Sequence, residues 1–130
     1  MEGSSVWICP VIGLPHGNST TTIKMQEALE AVKAGGTEID MVVNVGKVLS
    51  SDWEYVEHEI RMIDDVVMGN GTILKVIFEN DYLSEKEILR LCEICSGAGV
   101  VFVKTSTGYG FVKQRMGCIR IEGRQWSIYC

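Results

Sequence analysis

Apolar residues in this chain come in two alternating patterns. Short, nearly continuous apolar runs read as strands, and longer stretches with apolar positions every three or four residues read as helices. The runs are "VWICPVIGLP" (6–15), "EIDMVVNV" (38–45), "TILKVIFEN" (72–80) and "VVFVKTST" (100–107). Pro10 weakens the first, because proline cannot donate to a sheet ladder. Between the runs, "IKMQEALEAVKAGG" (23–36) places Met25, Ala28, Leu29 and Val32 on one face and stops at Gly35-Gly36. "SSDWEYVEHEIRMIDDVVMGNG" (50–71) places Trp53, Val56, Ile60, Ile63 and Val67 on one stripe, and its start reads as a capping box, Ser51 to Glu54. "SEKEILRLCEICSGAG" (84–99) opens with a second capping box, Ser84 to Glu87. A strand therefore recurs roughly every 30 residues with a helix between, which predicts a parallel sheet with right-handed crossovers.

Two architectures fit: part of a (β/α)8 barrel, or a small open sheet wound on both faces. The period-2 rule distinguishes them. On the second strand Asp40, Val42 and Asn44 oppose Ile39, Met41 and Val43. On the third, Lys75, Ile77 and Glu79 oppose Leu74, Val76 and Phe78; on the fourth, Phe102, Lys104 and Ser106 oppose Val101, Val103 and Thr105. One face of each strand carries ionisable or polar groups. An open sheet covered on both sides would bury them under helices at a cost of several kcal/mol unless paired. A barrel gathers them on its axis, with chemistry at the C-terminal strand ends. The pattern favours the barrel.

Composition narrows the function classes. The chain has 130 residues, 46% hydrophobic and 22% charged, with a net charge of −5. An acidic chain of this kind lacks the basic footprint of a nucleic-acid or anionic-membrane binder. No apolar run approaches the roughly 20 residues of a membrane span, and "MEGSSVWICPVIG" has no basic segment of a signal peptide. The five cysteines, Cys9, Cys92, Cys95, Cys118 and Cys130, are scattered, as expected of reduced thiols in a cytoplasmic protein. On that expectation the sequons at Asn18 and Asn70 are chance matches. Cys92 and Cys95 form Cys-x-x-Cys late in a helix on the face of Ile88 and Leu91, which reads as packing; no second pair completes a zinc site. His16 and His58 are too far apart for ligand spacing, and no cofactor or metal is expected.

A lysine on an apolar strand has a chemical use. Burial disfavours the ammonium form and makes the amine available to attack a carbonyl, giving a Schiff base. The protonated imine is an electron sink for carbon–carbon bond cleavage or formation, and a nearby carboxylate and second lysine can move the protons. Residue types alone suggest a metal-free aldolase but do not say which lysine is the nucleophile.

Four stretches carry a resemblance. "LPHGN" (14–18), "EIDMVVN" (38–44), "LKVIFEN" (74–80) and "VKTSTGYG" (103–110), in order and spacing, resemble the deoxyribose-phosphate aldolases from about Val6 to Gln114. The resemblance implies a class I Schiff-base aldolase on a TIM barrel. It implies reversible cleavage of 2-deoxyribose 5-phosphate to glyceraldehyde 3-phosphate and acetaldehyde, in deoxyribonucleotide catabolism. By the motif, Lys104 is implied as the Schiff-base lysine and Asp40 as part of the proton relay. Lys75 and Asn44 are implied to line the same cavity, and Thr105 and Ser106 to shape the loop beside the imine. A homo-oligomer is compatible with this reading.

The chain also departs from the family pattern. A full barrel takes about 250 residues. Only four strands are legible here, corresponding by resemblance to the third to sixth of eight. The family's second active-site lysine, on a "KxxGG"-like strand, has no counterpart. Residues 1–114 thus read as a partial barrel. Residues 115–130 read as an atypical tail, with Arg115, Arg120, Arg124, Trp126 and Tyr129. Two alternatives remain: a catalytically inactive fragment of the family, and a small flavodoxin-like phosphate or nucleotide binder. The latter predicts a glycine-rich loop after the first strand, where "LPHGNSTT" supplies a single glycine. Backbone amides of that loop and of "TSTGYG" are weak candidates for holding an anion.

Overall fold

The computed structural model describes residues 3–108, 118–122 and 125–129, the last two segments as backbone only. The elements run β1 (Val11–Ile12), α1 (Thr21–Lys33), β2 (Glu38–Val42), α2 (Val45–Leu49), α3 (Trp53–Gly69) and β3 (Ile73–Ile77). A 3-10 turn (Asn80–Tyr82) follows, then α4 (Glu85–Ala98), β4 (Phe102–Lys104), β5 (Cys118–Glu122) and β6 (Gln125–Tyr129). All six strands form one sheet in chain order. β1 to β4 are parallel, with Asp40 level with Lys75 and Ile77 level with Lys104. β5 and β6 are antiparallel additions, β5 lying against β4 with Lys104 opposite Cys118. The sequence pattern predicts no element there. The remaining tail residues, and the side chains of Arg120, Trp126 and Tyr129, lie outside the description.

The helices take their limits from local chemistry. The Thr20 hydroxyl accepts from the Ile23 amide to start α1, and Gly35 at φ +95° lets the chain leave it. α4 opens with the reciprocal Ser84–Glu87 capping box expected from the sequence. The box expected at Ser51–Glu54 does not form. Asp52 caps α3 instead, accepting from the Tyr55 amide. The reason is the short helix α2, which the apolar run obscures. Ser51 ends the turn that follows α2, its amide donating to the Val48 carbonyl at 2.9 Å.

The core lies on one face of the sheet. Ile39, Met41 and Val43, Leu74, Val76 and Phe78, and Val103 pack against Ala28 of α1, Val56, Ile60, Ile63 and Val67 of α3, and Leu91, Ile94 and Cys95 of α4. Full burial of each large aliphatic side chain contributes about 1.5–3 kcal/mol. The two faces separate as the period-2 rule predicts, and the described helices cover the apolar one. A parallel sheet with helices outside and a polar inner face is the arrangement of part of a (β/α)8 barrel.

Candidate active site

The inner face is built by strand register. Asp40, Lys75 and Phe102 stand level on β2, β3 and β4, and Lys104 lies two residues further along β4. Across β3, the Lys104 Nζ donates to Asp40 Oδ2 at 3.1 Å. The Asp40 side chain is 5% exposed and that of Lys104 is 24% exposed, so the carboxylate is sunk and the amine reaches towards solvent. The other Asp40 oxygen, Oδ1, accepts from the Cys9 thiol at 3.0 Å.

Lys75 is held differently. It pairs with Glu38, two residues before Asp40 on the same face of β2. Its Nζ also lies 3.9 Å from the Cys9 sulfur and 5.8 Å from the centre of the Phe102 ring. Burial pulls its ammonium towards a lower pKa. The Glu38 hydrogen bond and the charges of Cys9, Asp40 and Glu38 outweigh that and raise it above the ordinary lysine value. Cys9 is pushed up to about 12, first by burial and then by its hydrogen bond to Asp40.

The other expected residues stand at the strand ends. The Asn44 side chain accepts from the Lys47 amide at 3.1 Å and caps α2, so it is engaged in local structure. Ser106 is buried, and its hydroxyl donates to Glu79 Oε1 at 2.8 Å. The Thr105 carbonyl accepts from the Asn80 amide at 2.8 Å. The Thr107 amide donates to Glu79 and the Gly108 amide to the Ser106 hydroxyl, so two amides of the candidate anion loop already have partners. His16 sits in the turn after β1, edge-on to Tyr82. With Asn18, Val45 and Gly46 these two line a cleft of about 260 Å³ at the C-terminal end of the strands. Among the described residues no group of three or more His, Cys, Asp or Glu is placed to hold a metal ion.

Sequence reasoning missed Glu38 and Cys9 as members of this cluster. The signal was present, because the same alternation that aligns Asp40 with Lys75 also includes Glu38. Cys9 was obscured by Pro10, which argues against a strand. The Pro10 carbonyl nevertheless accepts from the Asp40 amide at 3.0 Å, and this keeps Cys9 beside β2.

Proteins named as deoxyribose-phosphate aldolases are similar to this chain in sequence and in structure. The deoxyribose-phosphate aldolase of Treponema denticola is 48% identical over 110 residues, 85% of this chain and 51% of that protein. The chain is homologous to about half of a deoxyribose-phosphate aldolase. The chain spans about half the length of the curated relatives it matches. The solved aldolase QR15 superposes with a TM-score of 0.78 at 39% identity, covering 84% of this chain and 48% of that one. A deoxyribose-phosphate aldolase from Aeropyrum pernix, described as a unique tetramer, superposes at 0.72 with 36% identity, over 80% of this chain and 43% of that one. No protein-family model matches the chain. The parallel strands and outer helices are therefore those of a partial aldolase barrel.

Proposed function

We propose that this chain carries the imine-forming half of a deoxyribose-phosphate aldolase site, with Lys104 as nucleophile and Asp40 as its proton acceptor. The observation that carries the reading is the 3.1 Å contact between Lys104 Nζ and Asp40 Oδ2. It lies on strands that match an aldolase framework. Proton transfer to Asp40 frees the amine to add to the acetaldehyde carbonyl. The carbinolamine then loses water to give a protonated imine. Loss of a proton from the neighbouring carbon gives an enamine, which attacks the aldehyde of glyceraldehyde 3-phosphate. Hydrolysis of the resulting imine releases the deoxy sugar phosphate, and cleavage is the reverse. Lys75, paired with Glu38 and raised above its ordinary value, fits a permanent cation beside the reaction rather than a second nucleophile. Asn44, Thr105 and Ser106 belong to this proposal as residues that shape the strand ends around the sugar phosphate.

The test is imine trapping. The purified chain is incubated with acetaldehyde, reduced with borohydride and mapped by mass spectrometry beside Lys104→Arg. The expected result is an adduct concentrated on Lys104 and absent from the variant. Slow, even labelling of all lysines would favour the inactive-fragment reading. A cytoplasmic location and self-association are further expectations of the same reading; fractionation and sedimentation measure them.

A further inference from the structure

Glu79 stands out beside this site. It is a non-glycine residue in left-handed backbone, at φ +59°, and is 2% exposed. Side chains with a Cβ rarely adopt that conformation, and such outliers cluster where structure is held for function. Its carboxylate collects three donors from the segment that follows Lys104. Oε1 accepts from the Ser106 hydroxyl at 2.8 Å and the Thr107 amide at 3.1 Å, and Oε2 accepts from the Thr107 hydroxyl at 2.5 Å. The Gly108 amide then closes onto the Ser106 hydroxyl at 3.0 Å.

The backbone shows what this clamp does. The Phe78 amide donates to the Lys104 carbonyl at 2.9 Å, as an unbroken parallel ladder requires. The next rung would join the Asn80 amide to the Ser106 carbonyl. It joins Thr105 instead, at 2.8 Å, a slip of one residue located at Glu79. The left-handed turn at Glu79 absorbs the slip, and its carboxylate ties residues 106 and 107 back to the end of β3. Lys104 therefore sits two residues before a segment held from the neighbouring strand.

We propose that Glu79 is a positioning residue for Lys104. By fixing residues 105–108 it sets the direction in which the Lys104 amine leaves β4 towards Asp40. The proposal rests on reading Lys104 as the imine-forming amine, and its test separates the two ideas. Lysines are labelled with ¹³C at Cε, and the Lys104 resonance is assigned by its loss in Lys104→Arg. Spectra are compared for the unaltered chain, Glu79→Gln, Glu79→Ala and Ile63→Val, the last a core change remote from the loop. Acetaldehyde adducts on Lys104 are counted relative to those on exposed Lys33 in the same samples.

The expected result is a shifted Lys104 resonance in Glu79→Gln, with Lys33 unmoved, and an adduct ratio lowered about fivefold or more. Ile63→Val should do neither at comparable loss of Tm. Should Glu79→Ala fail to fold, Glu79→Gln alone decides. An unmoved Lys104 resonance in the folded Glu79 variants overturns the proposal, as does an equal movement in Ile63→Val. If the unaltered chain forms no selective adduct, the aldolase reading fails, and the Lys104 resonance still decides the role of Glu79.

Discussion

The Cys9 thiol donates to the Asp40 oxygen that Lys104 does not use, so one carboxylate is shared between a sulfur and an amine. A thiol in this position stays protonated, because burial disfavours the thiolate and ionisation would also put a second anion beside Asp40. With its pKa raised to about 12, little thiolate exists near neutrality. Alkylation of Cys9 by iodoacetamide at about pH 8 should therefore run roughly a thousandfold slower than alkylation of an unperturbed thiol. Asp40→Asn removes both the strong acceptor and the neighbouring charge, and should speed the reaction at Cys9. Peptide mapping over time measures both. Alkylation of Cys9 at the rate of a free cysteine would mean that the thiol does not sit against Asp40.

At the scale of elements, α1 and α3 are joined by an ion pair with no solvent access. Lys24 Nζ lies 2.6 Å from Glu59 Oε1 and 3.0 Å from the Val42 carbonyl, and Glu59 Oε2 accepts from the Thr21 hydroxyl at 2.9 Å. Burial lowers the Lys24 pKa, with Glu59 opposing the shift. Removing one partner strands a buried charge, so Lys24→Met should cost about 3–5 kcal/mol in urea unfolding. The double change Lys24→Met with Glu59→Leu should fall nearer to the unaltered chain, and a double variant as unstable as the sum of the singles would contradict this account.

Asp64 of α3 gives a pH-dependent counterpart. Burial, then the charge of Asp65, raises its pKa above the usual 3.8. A raised acid binds more protons folded than unfolded. Its contribution is therefore fully present below the unfolded value and is lost as pH rises through the folded one. Asp64→Asn should raise Tm at about pH 7, and the gain should vanish below about pH 3. An equal gain at both would assign the effect to something other than ionisation.

These same elements show what the sequence pattern reveals and where it stops. The strand faces were legible because alternation assigns Asp40, Lys75 and Lys104 to one side whatever the tertiary contacts. Ser84 and Glu87 were legible because a capping box is local. Lys24 and Glu59 were not, because a stripe drawn through apolar residues omits charges that neutralise each other inside the core. Asn44 and Ser51 were misread in their local structure because α2, five residues long, is too short to show a helical period. Glu79 was placed on the correct face, but its clamp depends on a slip in strand pairing that no single segment encodes.

At the scale of the whole molecule, helices line one side of the sheet and the charged side is the one that a complete barrel would enclose. Enclosure matters for an imine. Water competes as a nucleophile, hydrolyses the intermediate, and screens the Lys104–Asp40 pair. The chain spans about half of its curated relatives, so the effect of enclosure can be measured by adding the part of a relative that it does not match. Residues 3–108 would be joined to the part of the Treponema denticola aldolase that this chain does not match. The Lys104 adduct should then form at least about tenfold faster than in the chain alone, with Lys104→Arg abolishing it. The trapped adduct is the necessary readout, because added strands bring catalytic groups of their own and turnover would not isolate Lys104. A folded chimera whose Lys104 labels no faster than in the chain alone would show that the Asp40 contact, and not the closed barrel, sets the reactivity of the amine.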